Sequence, residues 1–578
     1  MTFKNLAITW QKLEQTSSRL EITEILAGLL KQASRDEVDK ICYLSLGQLT
    51  PEYQELEFNL AEKMMVKVIA RASGQDVETI KNSFKQVGDL GQVAEQFSRQ
   101  TDRLDFFAKK ELTVIEVYNR LKAIAIEEGT GSVERKISQL VALVEDLSLP
   151  LSVRYLVRIP VGKLRLGFSS LTILDAVSWM LTGDKSKRNE IEAAYNVRAD
   201  VGQIARLAKA GGLKEISKAT VTLGVPIKPA LCQRIGTAGE IIEKMGRVAV
   251  EPKYDGQRLQ IHFGLNGSQK ITMFSRNLEP VTDMFPDIAS ALAKQLKAKT
   301  AILDGEIIGY DNKQNKYLSF QETIKRKRKY DVTQAIKNIP LQLVCFDLLY
   351  LNGRSLINTN FDQRRRRLAK ILPNRKGMII LAPQILTTDP AKLIAYHRQQ
   401  INSGLEGVVV KKWQAPYDPG KRNFTWVKLK QEQGKKGGGL ADTLDCLVLG
   451  YYQGKGKRAS FGIGGFLVGV QEGGKFFTLS KIGTGLSDDQ WRELKKRVDQ
   501  NKTDKKPSEY QVGRDFYPAV WCLPAIVAEI EADNITNSPA HSAKMALRFP
   551  RLKQFRDDKD PAQTTTIKEV KKLYQLQK

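Results

Sequence analysis

The chain reads as a multidomain protein with an all-α region, an α+β region and a small β-barrel. Three observations predict this. Its 578 residues exceed what one core can organise, at roughly 150 residues per domain. Apolar residues keep helical spacing through the first part and then switch to short β-rich runs. A Gly- and Lys-rich stretch, Gly434-Lys-Lys-Gly-Gly-Gly439, finally parts this second region from a third one, and such composition reads as a flexible linker or mobile loop.

In the helical region, residues 1–215, Ile22, Ile25, Leu26 and Leu29 recur at helical intervals. Ile137, Leu140, Val141, Val144 and Leu147 do the same after Gly129-Thr-Gly-Ser132. In residues 216–430 the β-rich runs Ala301 to Gly309, Leu341 to Tyr350 and Gly407 to Lys411 mix with helical segments such as Gln363 to Ile371, the pattern of an α+β domain. In residues 431–578 the runs Leu444 to Tyr452, Gly465 to Val470, Phe476 to Ile482 and Ile526 to Ala532 fit a small barrel, for which an OB-fold is the expected form. No internal repeat and no extended low-complexity tail is present.

Composition narrows the function. Lys and Arg number 91 against 64 Asp and Glu, a formal charge of +27, and basic residues occur in every third of the sequence. Such an excess points to a polyanion, commonly a phosphate backbone, bound in a salt-sensitive way through counterion release. Cys42, Cys232, Cys345, Cys446 and Cys522 lie far apart with no Cys-x-x-Cys pair, so neither a zinc finger nor a disulfide framework is encoded locally. There is no basic leader followed by an apolar run and no apolar stretch near about 18 residues, so the expectation is a cytoplasmic, nucleoid-associated or nuclear protein with no membrane partner. No Gly-Lys pair precedes Ser or Thr, which excludes the usual P-loop route to a nucleotide.

The most informative segment is Glu251-Pro-Lys-Tyr-Asp-Gly-Gln-Arg258. Val248 and Val250 alternate before it and Leu259, Ile261 and Phe263 after it, which places Lys253 where one strand ends and another begins, with Asp255-Gly256 as a tight turn. A lysine amine attacks phosphorus only when deprotonated, and an unperturbed pKa of about 10.4 leaves it charged at neutral pH. Nearby cations, desolvation or a metal must shift that balance. Arg258 and a divalent ion on a triphosphate would do so while neutralising charge on the phosphoryl oxygens.

This Lys-x-Asp-Gly-x-Arg element resembles the active-site signature of ATP-dependent DNA ligases and related covalent nucleotidyltransferases, and further elements recur in that family's order. Ser275-Arg276-Asn277 resembles the second motif and Leu303-Asp-Gly-Glu306 the third. Phe346-Asp-Leu-Leu-Tyr-Leu-Asn-Gly353, Glu406-Gly-Val-Val-Val-Lys411 and Trp426-Val-Lys-Leu-Lys430 resemble the next three. Taken singly, Leu303 to Glu306 reads as a hairpin, Phe346 as core and Arg276 as a surface charge; their collinearity carries the resemblance. The resemblance implies that Lys253 is the nucleophile and that Glu251 contacts adenine, favouring ATP over GTP. Phe346 would stack on the base, Glu306 and Glu406 would serve ribose and Mg²⁺, and Arg258, Arg276, Arg422 and Lys428 would bind phosphate or sugar oxygens. Lys428 and Lys430 share one strand face. NAD-dependent ligases share Lys-x-Asp-Gly but carry a four-cysteine zinc site, which the dispersed cysteines exclude.

The flanks extend the resemblance to the archaeal and eukaryotic replicative type. Arg158-Ile-Pro-Val-Gly-Lys-Leu-Arg-Leu-Gly167 and Glu192-Ala-Ala-Tyr-Asn196 are similar to its helical DNA-binding domain. Gly454-Lys-Gly-Lys-Arg458, Lys481-Ile-Gly-Thr-Gly485, Arg548-Phe-Pro-Arg551 and Arg556-Asp-Asp-Lys559 are similar to its OB domain, whose last basic residues would orient the leaving pyrophosphate. Gln554, where the family pattern has an arginine, and Ala528, where a tryptophan is common, depart from it. Gln100 with Phe106-Phe107 has the outer spacing of a sliding-clamp binding peptide, although Arg103 stands where an aliphatic anchor is wanted. What the resemblance implies is a monomeric, ATP- and Mg²⁺-dependent DNA ligase that seals 5′-phosphate/3′-hydroxyl nicks in duplex DNA during replication, repair and recombination. The alternatives are an RNA ligase or capping-type nucleotidyltransferase, and a noncatalytic DNA-binding scaffold.

Overall fold

Helices dominate the described residues from Phe3 to Ile216, and several begin at a side-chain cap. Thr113 and Glu116 cap the helix Val114–Ile126 reciprocally, Ser18 caps Arg19–Gln32, and Asp200 caps Val201–Ile216. A cap of this kind stabilises a helix by about 1 kcal/mol. The apolar stripes of these helices meet in one core around Trp10, Leu44, Val68, Leu121, Tyr155 and Val177. Leu147 belongs to that core, although the helix that carries its pattern ends at Glu145. The computed structural model describes residues 1–16, 18–100, 111–162, 164–265, 270–311, 313–314, 316–326, 332–372, 377–430, 443–454 and 462–576. The clamp-like peptide around Phe106-Phe107, the stretch Gly434 to Gly439 and most of Gly454 to Arg458 lie outside these residues.

Arg158, which opens one of the motifs of the helical region, is a buried strut. Its guanidinium pairs with Asp89 at 2.6 Å and with Glu14 at 2.9 Å, and the side chain is 1% exposed. Three segments distant in sequence are thus tied by one side chain. Both carboxyls sit below their ordinary range: burial pushes each up, but the hydrogen bonds and charge of Arg158 prevail.

Two sheets carry the second region. Their strands, in chain order, are β1 (Leu231–Arg234), β2 (Val248–Pro252), β3 (Gln257–Leu265), β4 (Lys270–Ser275), β5 (Ala301–Asp311), β6 (Lys316–Tyr317), β7 (Leu341–Leu351), β8 (Arg354–Ser355), β9 (Ile379–Leu381), β10 (Ile385–Thr387), β11 (Gly407–Lys412) and β12 (Arg422–Lys430). One sheet runs β1-β12-β11-β2-β10, and the other runs β4-β3-β5-β7-β8 with β6 on β5 and β9 on β7. The segment Lys253 to Gly256 is therefore not a hairpin, as a turn between two alternating runs suggests. It crosses from one sheet to the other, because β2 pairs with β10 and β11 while β3 pairs with β4 and β5. Leu303 to Glu306 is not a hairpin either: it lies inside β5, between β3 and β7, where a Cβ on Gly305 would stand 3.0 Å from the Val344 carbonyl.

Side-chain alternation sorts each sheet into a core face and a working face. In the first sheet Val248, Val250, Val408, Val410, Val427 and Leu429 point to the core shared with the helices Ala238–Met245 and Pro390–Asn402. In the second, Leu259, Ile261, Phe263, Leu303 and Leu343 do the same against Phe285, Ile288 and Leu368. The opposite face of β3 is polar yet buried, and it straps down the segment leading from the helices. Gly224 N–H donates to His262 Nδ1 at 2.9 Å, Ile227 N–H to Gln260 Oε1 at 2.8 Å, and Arg258 to the Ala230 carbonyl at 2.7 Å.

His262 is fully buried, and desolvation drops its pKa to about 3. The unfolded chain takes up this proton below about pH 6.5 and the folded chain does not until about 3, so the neutral ring contributes stability that is lost as pH falls through that window. We expect the unfolding midpoint to fall on acidification from pH 7 to 5, with this residue contributing up to about 1.4 kcal/mol per pH unit. Urea titrations of wild type and His262→Gln check this; an equal acid dependence in the two would remove His262 as a contributor.

Residues 431–578 form a second compact unit. Its antiparallel strands β13 (Leu444–Tyr452), β14 (Gly465–Glu472) and β15 (Lys475–Ile482) follow one another, and Val527–Glu531 adds to β13. The helix Asp488–Gln500, capped by Ser487, buries Trp491, Leu494 and Val498 in the core of this unit. Ala528 is buried in that added strand opposite Cys446 and Phe555, and the Gln554 amide donates to Glu529 at 2.7 Å. Among the described residues no helix is long and apolar enough to cross a membrane, and the five cysteines form no disulfide.

Candidate active site between the two sheets

Lys253 follows the end of β2, an inner strand of the first sheet, and two backbone bonds fix its position. Its N–H donates to the Gly407 carbonyl at 2.9 Å, and its carbonyl accepts from Glu406 N–H at 3.2 Å. Gly407 must be glycine here: its φ is +133°, and a Cβ would stand 2.3 Å from the Leu429 carbonyl. Gly256 is likewise required, because a Cβ would meet the Ile307 carbonyl at 2.3 Å where the crossing segment presses on β5. The glycines of two motifs thus let backbones touch at the place where the lysine is held.

Register builds the rest of the working face. Gly407 pairs with Lys430, and Val409 pairs with both Glu251 and Lys428, so Lys253, Glu251, Lys428 and Lys430 come from neighbouring strand positions. Lys253 Nζ lies 2.5 Å from Glu406 Oε2, and Lys430 Nζ lies 3.1 Å from the same oxygen. Burial raises the Glu406 carboxyl, but Lys253 and then Lys430 bring it down to about 2. Lys428 is pushed below its usual range by burial and by Lys430, with Lys253 and Arg422 adding to the effect. The sequence expectation that Lys428 and Lys430 share a strand face is met: Val427 and Leu429 between them point into the core.

The second sheet supplies the opposite wall. Glu306 stands on β5 opposite Arg258, and burial pushes its carboxyl up to about 7 against the pull of Lys253 and Arg258. Arg276 is exposed at the end of β4, close enough to act on Glu306, and Arg422 is exposed at the start of β12. Phe346 on β7 is half-buried, and its ring meets Trp426 edge-on at 5.9 Å, which brings the two working faces together.

Arg258 is placed differently from a ligand-facing arginine. Its guanidinium forks onto Asp304 at 2.9 and 2.6 Å, donates to the Ala230 carbonyl, and lies 3.1 Å from the Tyr417 hydroxyl. Tyr417 also donates to Asp304 at 3.0 Å. Asp304 therefore balances most of the charge that the sequence argument assigned to activating Lys253. Sequence reasoning passed over Asp304 although it sits inside the third motif, and alternation with Glu306 on one face of β5 was the available signal.

Lys411, which closes the Glu406 motif, was also passed over. It is 1% exposed and pairs with Glu251 Oε2 at 2.8 Å. In the second unit, Arg556 and Lys559 of the last motif both reach Asp445, at 3.2 and 2.6 Å.

Carboxylate oxygens are the hard ligands that Mg²⁺ prefers, and Glu306 and Glu406 are the ones gathered around Lys253. Among the described residues no cluster of three or more His, Cys, Asp or Glu could hold a metal by itself. That donor set fits an ion that keeps waters and binds substrate phosphates rather than one caged by protein.

Comparison with known proteins agrees along the whole chain. The family described as "ATP dependent DNA ligase domain" matches residues 229–430, "DNA ligase N terminus" matches 2–178, and "ATP dependent DNA ligase C terminal region" matches 459–559. The "Probable DNA ligase" of Dictyoglomus turgidum is 40% identical over 588 aligned residues, covering 100% of this chain and 98% of that protein. "DNA ligase 2" of Thermofilum pendens is 37% identical with the same coverage. A solved structure described as Pmar-Lig_PreS3 shares the fold at a TM-score of 0.53 and 19% identity, covering 95% of this chain and 99% of that one.

Proposed function

The chain belongs to the ATP-dependent DNA ligases, and from that membership we propose which of its residues carry out each part of the reaction. The enzyme seals nicks in duplex DNA through an adenylate, using ATP and a divalent metal, the activity of its family in replication, repair and recombination.

The observation that carries the assignment is Lys253 Nζ held 2.5 Å from Glu406, which Lys430 also reaches, beside Glu251 of the same sheet and with Phe346 on the opposite wall. Lys253 Nζ attacks the α-phosphorus of ATP, a P–N bond forms as the bond to pyrophosphate breaks, and AMP stays on the lysine as a phosphoamide. The 5′-phosphate of the nick then attacks the same phosphorus and frees the lysine. The 3′-hydroxyl finally displaces AMP to close the phosphodiester. Glu406 holds the lysine side chain in place before ATP arrives. Lys428, Lys430, Arg276 and Arg422 offset the charge of phosphate and sugar oxygens, and Phe346 stacks on adenine while Glu251 contacts its edge. Glu306 and Glu406 would hold the metal, which when bound supplies positive charge to the triphosphate oxygens. Arg258 contributes mainly by keeping β3, β5 and the Ala230 backbone in register.

The finer assignments follow the same reading. Residues 1–215 hold duplex DNA through its backbone with little sequence preference, residues 216–430 form the adenylation domain, and residues 431–578 form an OB-fold, supported by the β13 to β15 meander. The protein acts as a monomer in the cytoplasm at the nucleoid, with Gln100 to Phe107 as its candidate contact to a sliding clamp.

Incubating the protein, first stripped of bound AMP with pyrophosphate, with α-³²P-ATP or α-³²P-GTP and Mg²⁺ tests the reading. A label from ATP that survives denaturing electrophoresis is expected, and label from GTP alone or from neither nucleotide would overturn it.

A further inference from the structure

Lys411 occupies an unusual place for an ammonium group. Its Nζ lies 4.3 Å from the centre of the Trp426 ring, 4.4 Å from that of Phe346 and 4.7 Å from that of Phe361. Cations favour such ring faces, and the attraction grows when water is excluded. It donates to the Phe346 carbonyl at 3.0 Å and pairs with Glu251 Oε2 at 2.8 Å, both partners of the ion pair being almost fully buried. One amine thus touches both groups assigned to the base: the backbone of the stacking residue and the carboxylate at the edge.

Glu251 shows what that contact leaves over. Its Oε2 is taken by Lys411, while Oε1 is buried and, among the described residues, has no hydrogen-bond partner. A buried acceptor without a donor costs roughly 1–3 kcal/mol of desolvation, which favours any ligand that brings an N–H to it. Adenine carries an N6 amino donor at that edge, whereas guanine carries the O6 acceptor.

We propose that Lys411 determines base choice: by fixing Glu251 Oε2 and its own contact with Phe346, it aims Glu251 Oε1 at the base as a pure acceptor, which accepts adenine and repels guanine. Lys411 is a positioning residue, acting through Glu251 and Phe346 rather than on the reacting atoms. The proposal rests on the reading that Glu251 and Phe346 bind the base. Without Lys411 the carboxylate is freed to turn toward other donors, and a buried charge loses its partner. ATP then loses an oriented acceptor while GTP loses a repulsion, so the ratio of the two falls further than either rate.

The test is enzyme adenylation by the full-length chain with α-labelled ATP and GTP over a range of concentrations, for wild type, Glu251→Gln, Lys411→Met and the double variant. Lys411→Met is expected to raise KM for ATP with little change in kcat, and to lower the ATP/GTP ratio of kcat/KM by roughly tenfold or more, since a hydrogen-bonding site discriminates through groups left unpaired. Because the single variant strands a buried carboxylate, the double variant, which removes both charges, serves if Lys411→Met does not fold. Its ratio should match that of Glu251→Gln alone. Glu251→Gln lowering the ratio while Lys411→Met leaves it intact, or losses that add in the double variant, would overturn the role of Lys411. An unchanged ratio in Glu251→Gln would instead overturn the base-site reading beneath it. A fall in kcat for both nucleotides at constant ratio would assign Lys411 to the fold alone.

Discussion

Lys253→Ala is expected to abolish self-labelling from α-³²P-ATP, a loss of at least about 10⁴-fold, because no neighbouring group can take the place of the amine. The nearest substitutes, Lys428 and Lys430, are rooted on β12 and point from a different strand, and Lys430 is already engaged with Glu406. An amine rooted two strand spacings away, roughly 10 Å, misses the in-line approach that phosphoryl transfer requires. The same variant should still close a nick whose 5′-end already carries AMP, at a reduced rate, since that step uses the 3′-hydroxyl as nucleophile and needs no lysyl intermediate. Persistent labelling of the variant would mean that a second residue is the nucleophile. Loss of both reactions at once, with an unchanged melting temperature, would mean that Lys253 also holds the AMP-capped end.

Asp304→Ala is expected to unfold the adenylation region more readily than most single changes do, costing about 3–5 kcal/mol, since it strips a buried arginine of its carboxylate. Asp304 is 1% exposed, and it receives both Arg258 and the Tyr417 hydroxyl. Removal therefore strands two donors and loosens β3 from β5 beside Glu306. Adenylation should fall with it, and lowering the temperature should recover part of the rate, as expected when a scaffold rather than a reacting group is lost. Denaturant unfolding and labelling measured at two temperatures check both statements. A variant of undiminished stability would return Arg258 to the role of a phosphate ligand, with Asp304 as its orienting partner.

Much of this site was legible in the sequence, because the information was local. The alternation around residue 253, the runs at Leu341, Leu444 and Phe476, and the shared face of Lys428 and Lys430 depend only on the period of a strand. Pairing partners are not local, and there the reading failed. Lys253 to Gly256 looks like a hairpin because two alternating runs flank a Gly, yet the runs belong to different sheets. Leu303 to Glu306 looks like a turn because of Asp-Gly, yet it runs straight through a strand paired on both sides. The covering of Arg258, Gln260 and His262 on the polar face of β3 comes from the segment Gly224 to Ala230 lying over them, which no periodicity encodes. Lys411 is hidden in the same way, because a charged strand end is ordinarily wet.

That overlying segment fixes the length of the leash between the helical region and the sheets. The last helix ends at Ile216 and Gly224 is bound to β3, and between them Ala219 packs on the helical core while Val221 is buried with Ile302 and Leu349, so the joining chain is held along its length. Were the stretch from Ser217 to Ala230 loose, it could span roughly 45 Å. The helices are further met at Gly420, whose missing Cβ leaves room for Asn196, and at Phe274, which receives the ring of Tyr53. Helices joined to the sheets by so short and fully packed a connection stay beside them. Whatever they grip is therefore presented to the same pair of sheets that carries Lys253.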